Sequence, residues 1–139
     1  MKVMQDNTSR VDPPEVYART TADEILKFQW LVRQVPMSET VARQAVDLIR
    51  ATRPSDPTAS PAVKQYARYG ASVRATQFLA LAAKARALMQ GRYHVTADDL
   101  RELALPVLRH RVLTNYQAES DGVGVDTVLC DVLTTVLPA

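Results

Sequence analysis

The sequence predicts an all-α fold, a small helical bundle with at most one short two-stranded β-ribbon. Three observations lead there. Apolar residues recur at helical spacing in five segments, each segment is bounded by helix start or stop signals, and only two short stretches are aromatic and β-branched enough for strand. A length of 139 residues fits one domain, and a 47% apolar fraction is enough to bury a core.

Residues 1–20 are polar, contain Pro13-Pro14 and show no period, which describes a flexible lead-in; order is expected from residue 21 to residue 138. Thr21 with Glu24 forms a capping-box pattern, and Ile25, Phe28 and Val32 follow at helical spacing up to the stop at Pro36. Ser38 opens a second helix with Val41, Ala45, Leu48 and Ile49 on one face, ended by Arg53-Pro54. These two should pair as a hairpin. Residues 54–61 are rich in turn formers and read as a surface loop.

The third helix is the spine. Phe78, Leu81, Ala82, Ala85, Leu88 and Met89 form its apolar stripe, and Gly91 stands where a C-terminal capping glycine belongs. Residues 93–95 are a candidate strand to pair with residues 112–116. Between them Thr96 and Asp99 open a helix with Leu100, Leu103, Ala104, Val107 and Leu108 inward, which Pro106 should kink or divide. Asp121-Gly122-Val123-Gly124 then turns into a last helix with Val125, Val128, Leu129, Val132, Leu133 and Val136 at helical spacing. The expected core is led by Phe28, Ile49, Phe78, Leu81, Leu100 and Leu108.

Composition excludes several functions. Seventeen basic residues nearly balance fifteen acidic ones, so no global pull toward nucleic acid or anionic lipid is encoded. No apolar run approaches membrane-spanning length, and the start of the chain lacks the apolar stretch of a signal peptide. One cysteine, Cys130, allows no intrachain disulfide, so a cytoplasmic location is the simplest expectation. Cys130 lies beside an apolar stripe and reads as a small buried hydrophobe rather than a nucleophile. None of the four glycines is followed by lysine, so no phosphate-binding loop ending in Gly-Lys-Ser/Thr is present. His94 and His110 lack partners at ligand spacing, so no metal site is expected, and the doublets Asp23-Glu24 and Asp98-Asp99 read as helix capping. No catalytic triad or carboxylate pair emerges.

One segment breaks local rules: Gly70-Ala71-Ser72-Val73-Arg74-Ala75, at the start of the spine helix. Ser72 suits an N-cap, which places Arg74 in the first turn, where a cation opposes the helix dipole by about 0.3–1 kcal/mol. An anion there would receive both free backbone N–H groups and the guanidinium fork, with Gly70 and Ala71 keeping the approach open. Gln77 and Lys84 fall on the same side. The alternative is that Arg74 pairs with a nearby acidic side chain or extends into water.

That run, followed by Ala83-Lys84-Ala85-Arg86-Ala87-Leu88, Gly91-Arg92, Val95-Thr96-Ala97-Asp98-Asp99-Leu100 and Pro106-Val107-Leu108-Arg109-His110-Arg111, resembles the C-terminal lid of MoxR-type AAA+ ATPases. The upstream Leu48-Ile49-Arg50-Ala51-Thr52-Arg53 is similar to the end of that lid's second helix, so the likeness spans roughly residues 21–138. Each motif is short, but the ordered set is specific. Val73 departs from the pattern, standing where the family commonly has proline.

The resemblance implies that Arg74 is a sensor-2 arginine reaching the γ-phosphate of ATP, with Gly70 and Ser72 shaping the helix start. It also implies a piece of a longer protein, since the α/β nucleotide-binding core is absent and the lid would not hydrolyse ATP alone. In that parent the implied cofactors are ATP and magnesium. The implied partners are the parent's own nucleotide-binding core, neighbouring subunits of a hexameric ring and a protein of von Willebrand A type. A second reading stays open: the spine helix, a short strand and Val95-Thr96-x-x-Asp99-Leu100 also look like half of a histone-type fold, a helical dimerisation or DNA-binding module. Against it, the basic residues do not cluster and the last helix is unexplained. A plain helical adaptor is a third reading.

Overall fold

A computed structural model describes residue 17 and residues 19–138. The expected lead-in lies almost wholly outside the described residues. The order is α1 (Ala22–Gln34), α2 (Glu39–Ala51), α3 (Pro61–Tyr66), β1 (Ala67–Tyr69), α4 (Val73–Met89), α5 (Ala97–Leu108), β2 (Leu113–Thr114), α6 (Tyr116–Ser120) and α7 (Val125–Val136). The all-α class with one two-stranded ribbon is what the sequence led us to expect.

The punctuation explains most boundaries. Thr21 and Glu24 close a reciprocal capping box on α1, and the Ser38 hydroxyl accepts from the Val41 N–H at the start of α2. Gly91 (φ +70°) and Gly122 (φ +67°) each take the left-handed conformation that ends a helix. At the first, Arg92 N donates to Ala87 O (2.8 Å) and Gly91 N to Leu88 O (2.9 Å), the paired bonds of a Schellman motif.

The core lies between α2, α4, α5 and α7, and α4 is central, packing on α5, α2 and α1. The face α4 turns inward is not the expected one. Ala75, Leu79, Ala83 and Ala87, four residues apart, are its buried residues, whereas Phe78 (48% exposed), Leu81 (39%) and Met89 (88%) lie outward. Small side chains let α4 approach its neighbours closely, and α4 is apolar on more than one side, so size did not reveal which face is buried. Phe28, 60% exposed, also leaves the expected core, while Ile49, Leu100 and Leu108 belong to it.

Several other elements differ from what the sequence leads one to expect. The ribbon pairs β2 with β1, not with residues 93–95; Ala67 faces Thr114 and Tyr69 faces Leu113, with an irregularity between. The short helix α3 reaches β1 because Ser60 caps it and Pro61 occupies its first turn, where a missing N–H costs nothing. Asn115 finishes the ribbon: its backbone N–H and side-chain amide donate to Tyr66 O (2.9 Å) and Gln65 O (2.7 Å), while its side-chain oxygen caps α6. Pro106 does not divide α5, which runs two residues past it. The first two helices do not form a packed hairpin, since α1 lies on α4. Cys130 is exposed, on the side of α7 away from Val128, Leu129 and Val132.

Arg101 of α5 and Arg109, which caps the C-terminal end of α5, bracket the antiparallel α7. Arg101 donates to Leu137 O and Pro138 O at its C-terminal end, and Arg109 pairs with Asp126 (2.9 Å) in its first turn. Arg101 at the C-terminal end of α7 and Asp126 in its first turn both suit that helix's dipole.

Candidate functional site

The start of α4 is pinned from behind. Thr52, fully buried at the end of α2, uses its hydroxyl twice: it donates to Ile49 O (2.7 Å) and accepts from Ala71 N (2.9 Å). Arg53 Nε donates to Ala71 O (3.1 Å). Gly70 sits against this anchor so closely that a β-carbon there would lie 2.5 Å from Thr52 O and 2.7 Å from Arg53 Cα. The glycine is therefore needed for the approach of two backbones, a steric reason its sequence position did not disclose.

Ser72 is the N-cap residue of α4, but its side chain makes no capping hydrogen bond, and no acidic residue stands in the first turn. The Ala75 N–H donates to Ser72 O (2.9 Å), and the backbone N–H groups of Val73 and Arg74 remain available to an external acceptor. Arg74 follows at the second helical position, exposed to solvent. It lines a cavity of about 650 Å³ together with Gln77, Phe78, Ala80, Leu81 and Lys84 of α4 and Arg33 of α1. The expected association of Arg74, Gln77 and Lys84 holds.

Arg33 was not foreseen. It stands in the last turn of α1, and only the packing of α1 on α4 brings it to Arg74. Among the described residues three cations line this cavity and no carboxylate does. Lys84 Nζ donates to Arg33 O (3.2 Å), capping the end of α1. An apolar groove of about 450 Å³, lined by Ile25, Phe28, Val32, Leu81 and Ala85, shares Arg33 and Leu81 with the cationic cavity and continues it between the same helices.

A second polar cluster is structural. Asp99 is fully buried and accepts from Arg86 (2.8 Å), Arg92 and the Thr96 N–H (2.9 Å) and hydroxyl. Burial by itself would raise its pKa, but the bonds from Arg92, the Thr96 backbone and Arg86 outweigh it and hold the carboxyl well below the usual range. The capping role expected for Asp99 is thus only part of what it does, because it also ties the end of α4 to the start of α5. Arg111 lies over the Phe78 ring, 4.8 Å from its centroid, and covers one face of that exposed aromatic. Among the described residues no group of three His, Cys, Asp or Glu side chains is placed to hold a metal, and no helix is long and apolar enough to cross a membrane.

The structure is a small helical bundle whose central helix presents Arg74, unpaired among the described residues, beside a cationic cavity. A family model of the AAA lid domain matches residues 59–131. Chaperone MoxR1 of Mycobacterium tuberculosis is 30% identical over 126 residues, a stretch covering 91% of this chain and 33% of that protein. The crystal structure of a "putative ATPase" from Cytophaga hutchinsonii superposes with a TM-score of 0.83 at 28% identity, over 96% of this chain and 41% of that one. The chain belongs to the AAA lid domain family, and within it to the MoxR type. It spans about a third of the length of the MoxR1 relative.

Proposed function

We propose that the chain is the lid of an ATP-hydrolysing MoxR-type machine and that Arg74 is its sensor-2 arginine, placed to reach the γ-phosphate of ATP. The carrying observation is that Arg74 stands unpaired among the described residues on a cavity with two further cations and no carboxylate. These residues fit the phosphates of a nucleotide and offer no ligand set for its magnesium. What this chain contributes is charge and orientation: the Thr52–Ala71 anchor fixes where α4 begins, and the guanidinium acts where phosphate charge develops.

The nucleotide-binding core of the parent supplies the rest of the site, and by itself the lid hydrolyses no ATP. In this reading lid movement passes to neighbouring subunits of a ring and onward to a partner of von Willebrand A type. A histone-like module is disfavoured by the unpaired arginine and by α7, which packs into the same core.

Arg74→Ala tests the assignment. In this chain the unfolding free energy should stay within about 0.5 kcal/mol, as for other exposed substitutions, while ATP hydrolysis by the parent or its coupling to ring motion falls. If the change unfolds the chain and the parent keeps full activity, Arg74 is a structural residue and the sensor assignment is wrong.

A further inference from the structure

Among the described residues every arginine except Arg19, Arg33 and Arg74 has an ion pair, a hydrogen bond or an aromatic ring as partner. Two of those three line the same cavity, and they come from different helices. An arginine fork left free beside another free fork costs like-charge repulsion, which a shared anion reverses. Resting on the reading of Arg74 given above, we propose that Arg33 is a second phosphate ligand of this lid, closing with Arg74 on one polyphosphate chain from opposite walls of the α1–α4 cleft.

The chemistry favours a polyphosphate over a single carboxylate. Three cations line about 650 Å³, room for a chain of linked phosphates, and the free N–H groups of Val73 and Arg74 open α4 at the Arg74 end of it. Lys84 completes the arrangement from below: by donating to Arg33 O it holds the end of α1 over α4, so that the Arg33 side chain issues toward the cavity. Arg33 is thus a binding residue and Lys84 a positioning residue. Because α1 buries none of its own residues, an anion gripped by Arg33 and Arg74 also fastens α1 to α4.

The probe is inorganic tripolyphosphate, titrated into the whole 139-residue chain at low ionic strength and read by amide NMR shifts and by the fluorescence of Trp30, the one tryptophan, three residues before Arg33. Arg33→Gln and Arg74→Gln should each weaken binding about 5–10-fold, the size of one lost charge-assisted contact. Lys64→Gln, on α3 outside this cavity, should leave it unchanged, and raising salt should weaken the wild type. Thermal melts of each variant should match the wild type, since the substitutions are exposed. Tripolyphosphate should also slow amide exchange in α1. If Arg33→Gln binds like wild type while Arg74→Gln is weakened, the second ligand is refuted and the Arg74 reading stands. Weakening by Arg33→Gln alone overturns both. No saturable shift up to about 20 mM, or equal binding of a triglutamate peptide, refutes the polyphosphate clamp and leaves Arg74 to the assay of the parent.

Discussion

Replacing Gly70 with alanine adds one methyl group at the point where the molecule has no room for it. The new β-carbon would meet Thr52 O at 2.5 Å and Arg53 Cα at 2.7 Å, both backbone atoms that cannot rotate away. The backbone at residue 70 is not left-handed, so alanine is conformationally allowed and the effect is purely steric. Overpacking of this kind costs about 1–3 kcal/mol. The relief available is to move residues 70–72 outward, which stretches the bond from Ala71 N to the buried Thr52 hydroxyl, and a buried donor left unmatched costs about 1–3 kcal/mol more. The reduced freedom of the unfolded chain returns about 0.4–1 kcal/mol. The net expectation is a loss of about 2–4 kcal/mol, seen as a lower urea midpoint at unchanged slope and a melting temperature lower by on the order of 10 °C. NMR shifts should concentrate at Thr52, Ala71 and the first turn of α4. Stability within about 0.5 kcal/mol of wild type, with those amides unmoved, would refute the idea that Gly70 serves the contact with α2.

Asp99→Ala should cost about 2–4 kcal/mol, less than a fully enclosed ion pair because Arg86 and Arg92 can turn to solvent. The Asp99 carboxyl is depressed in the folded state, so its contribution is fully present above about pH 4 and is lost as pH falls below that; acid titration of stability should show a shallower decline in the mutant. Leu79→Ala should cost about 2–5 kcal/mol through a cavity at a fully buried site, whereas Leu81→Ala, more than a third exposed, should cost about 1 kcal/mol or less. Equal losses at the two positions in denaturant unfolding would mean that the inward face of α4 is misassigned.

Helix boundaries were legible because they depend on local chemistry: Thr21, Ser38 and Thr96 start helices and Gly91 ends one, each for reasons contained in a few residues. The family likeness was legible for a related reason, since its motifs sit at those same starts and stops. What failed was anything that depends on which elements meet. The strand partner of β2 follows from the placement of α3, and the inward face of α4 follows from its being flanked by α1, α2 and α5 at once. Within the site, Arg74 was readable because a cation in a first helical turn is locally anomalous. Arg33 was not, because a cation in a last turn is what the helix dipole favours and raises no question. The close approach at Gly70 likewise depends on residues 52 and 53, eighteen and seventeen positions upstream.

The seam of Ala75, Leu79, Ala83 and Ala87 has a mechanical consequence. Side chains this short carry few soft torsions, so the contact of α4 with its neighbours has little give: it cannot absorb a push by rotamer changes as a seam of leucine or methionine would. A straight helix of 17 residues is about 25 Å long. Fixed at one end by Thr52 and at the other by Asp99, α4 behaves as a beam rather than a spring. A displacement applied beside Arg74 therefore arrives with little loss at Gly91, on the far side of the molecule.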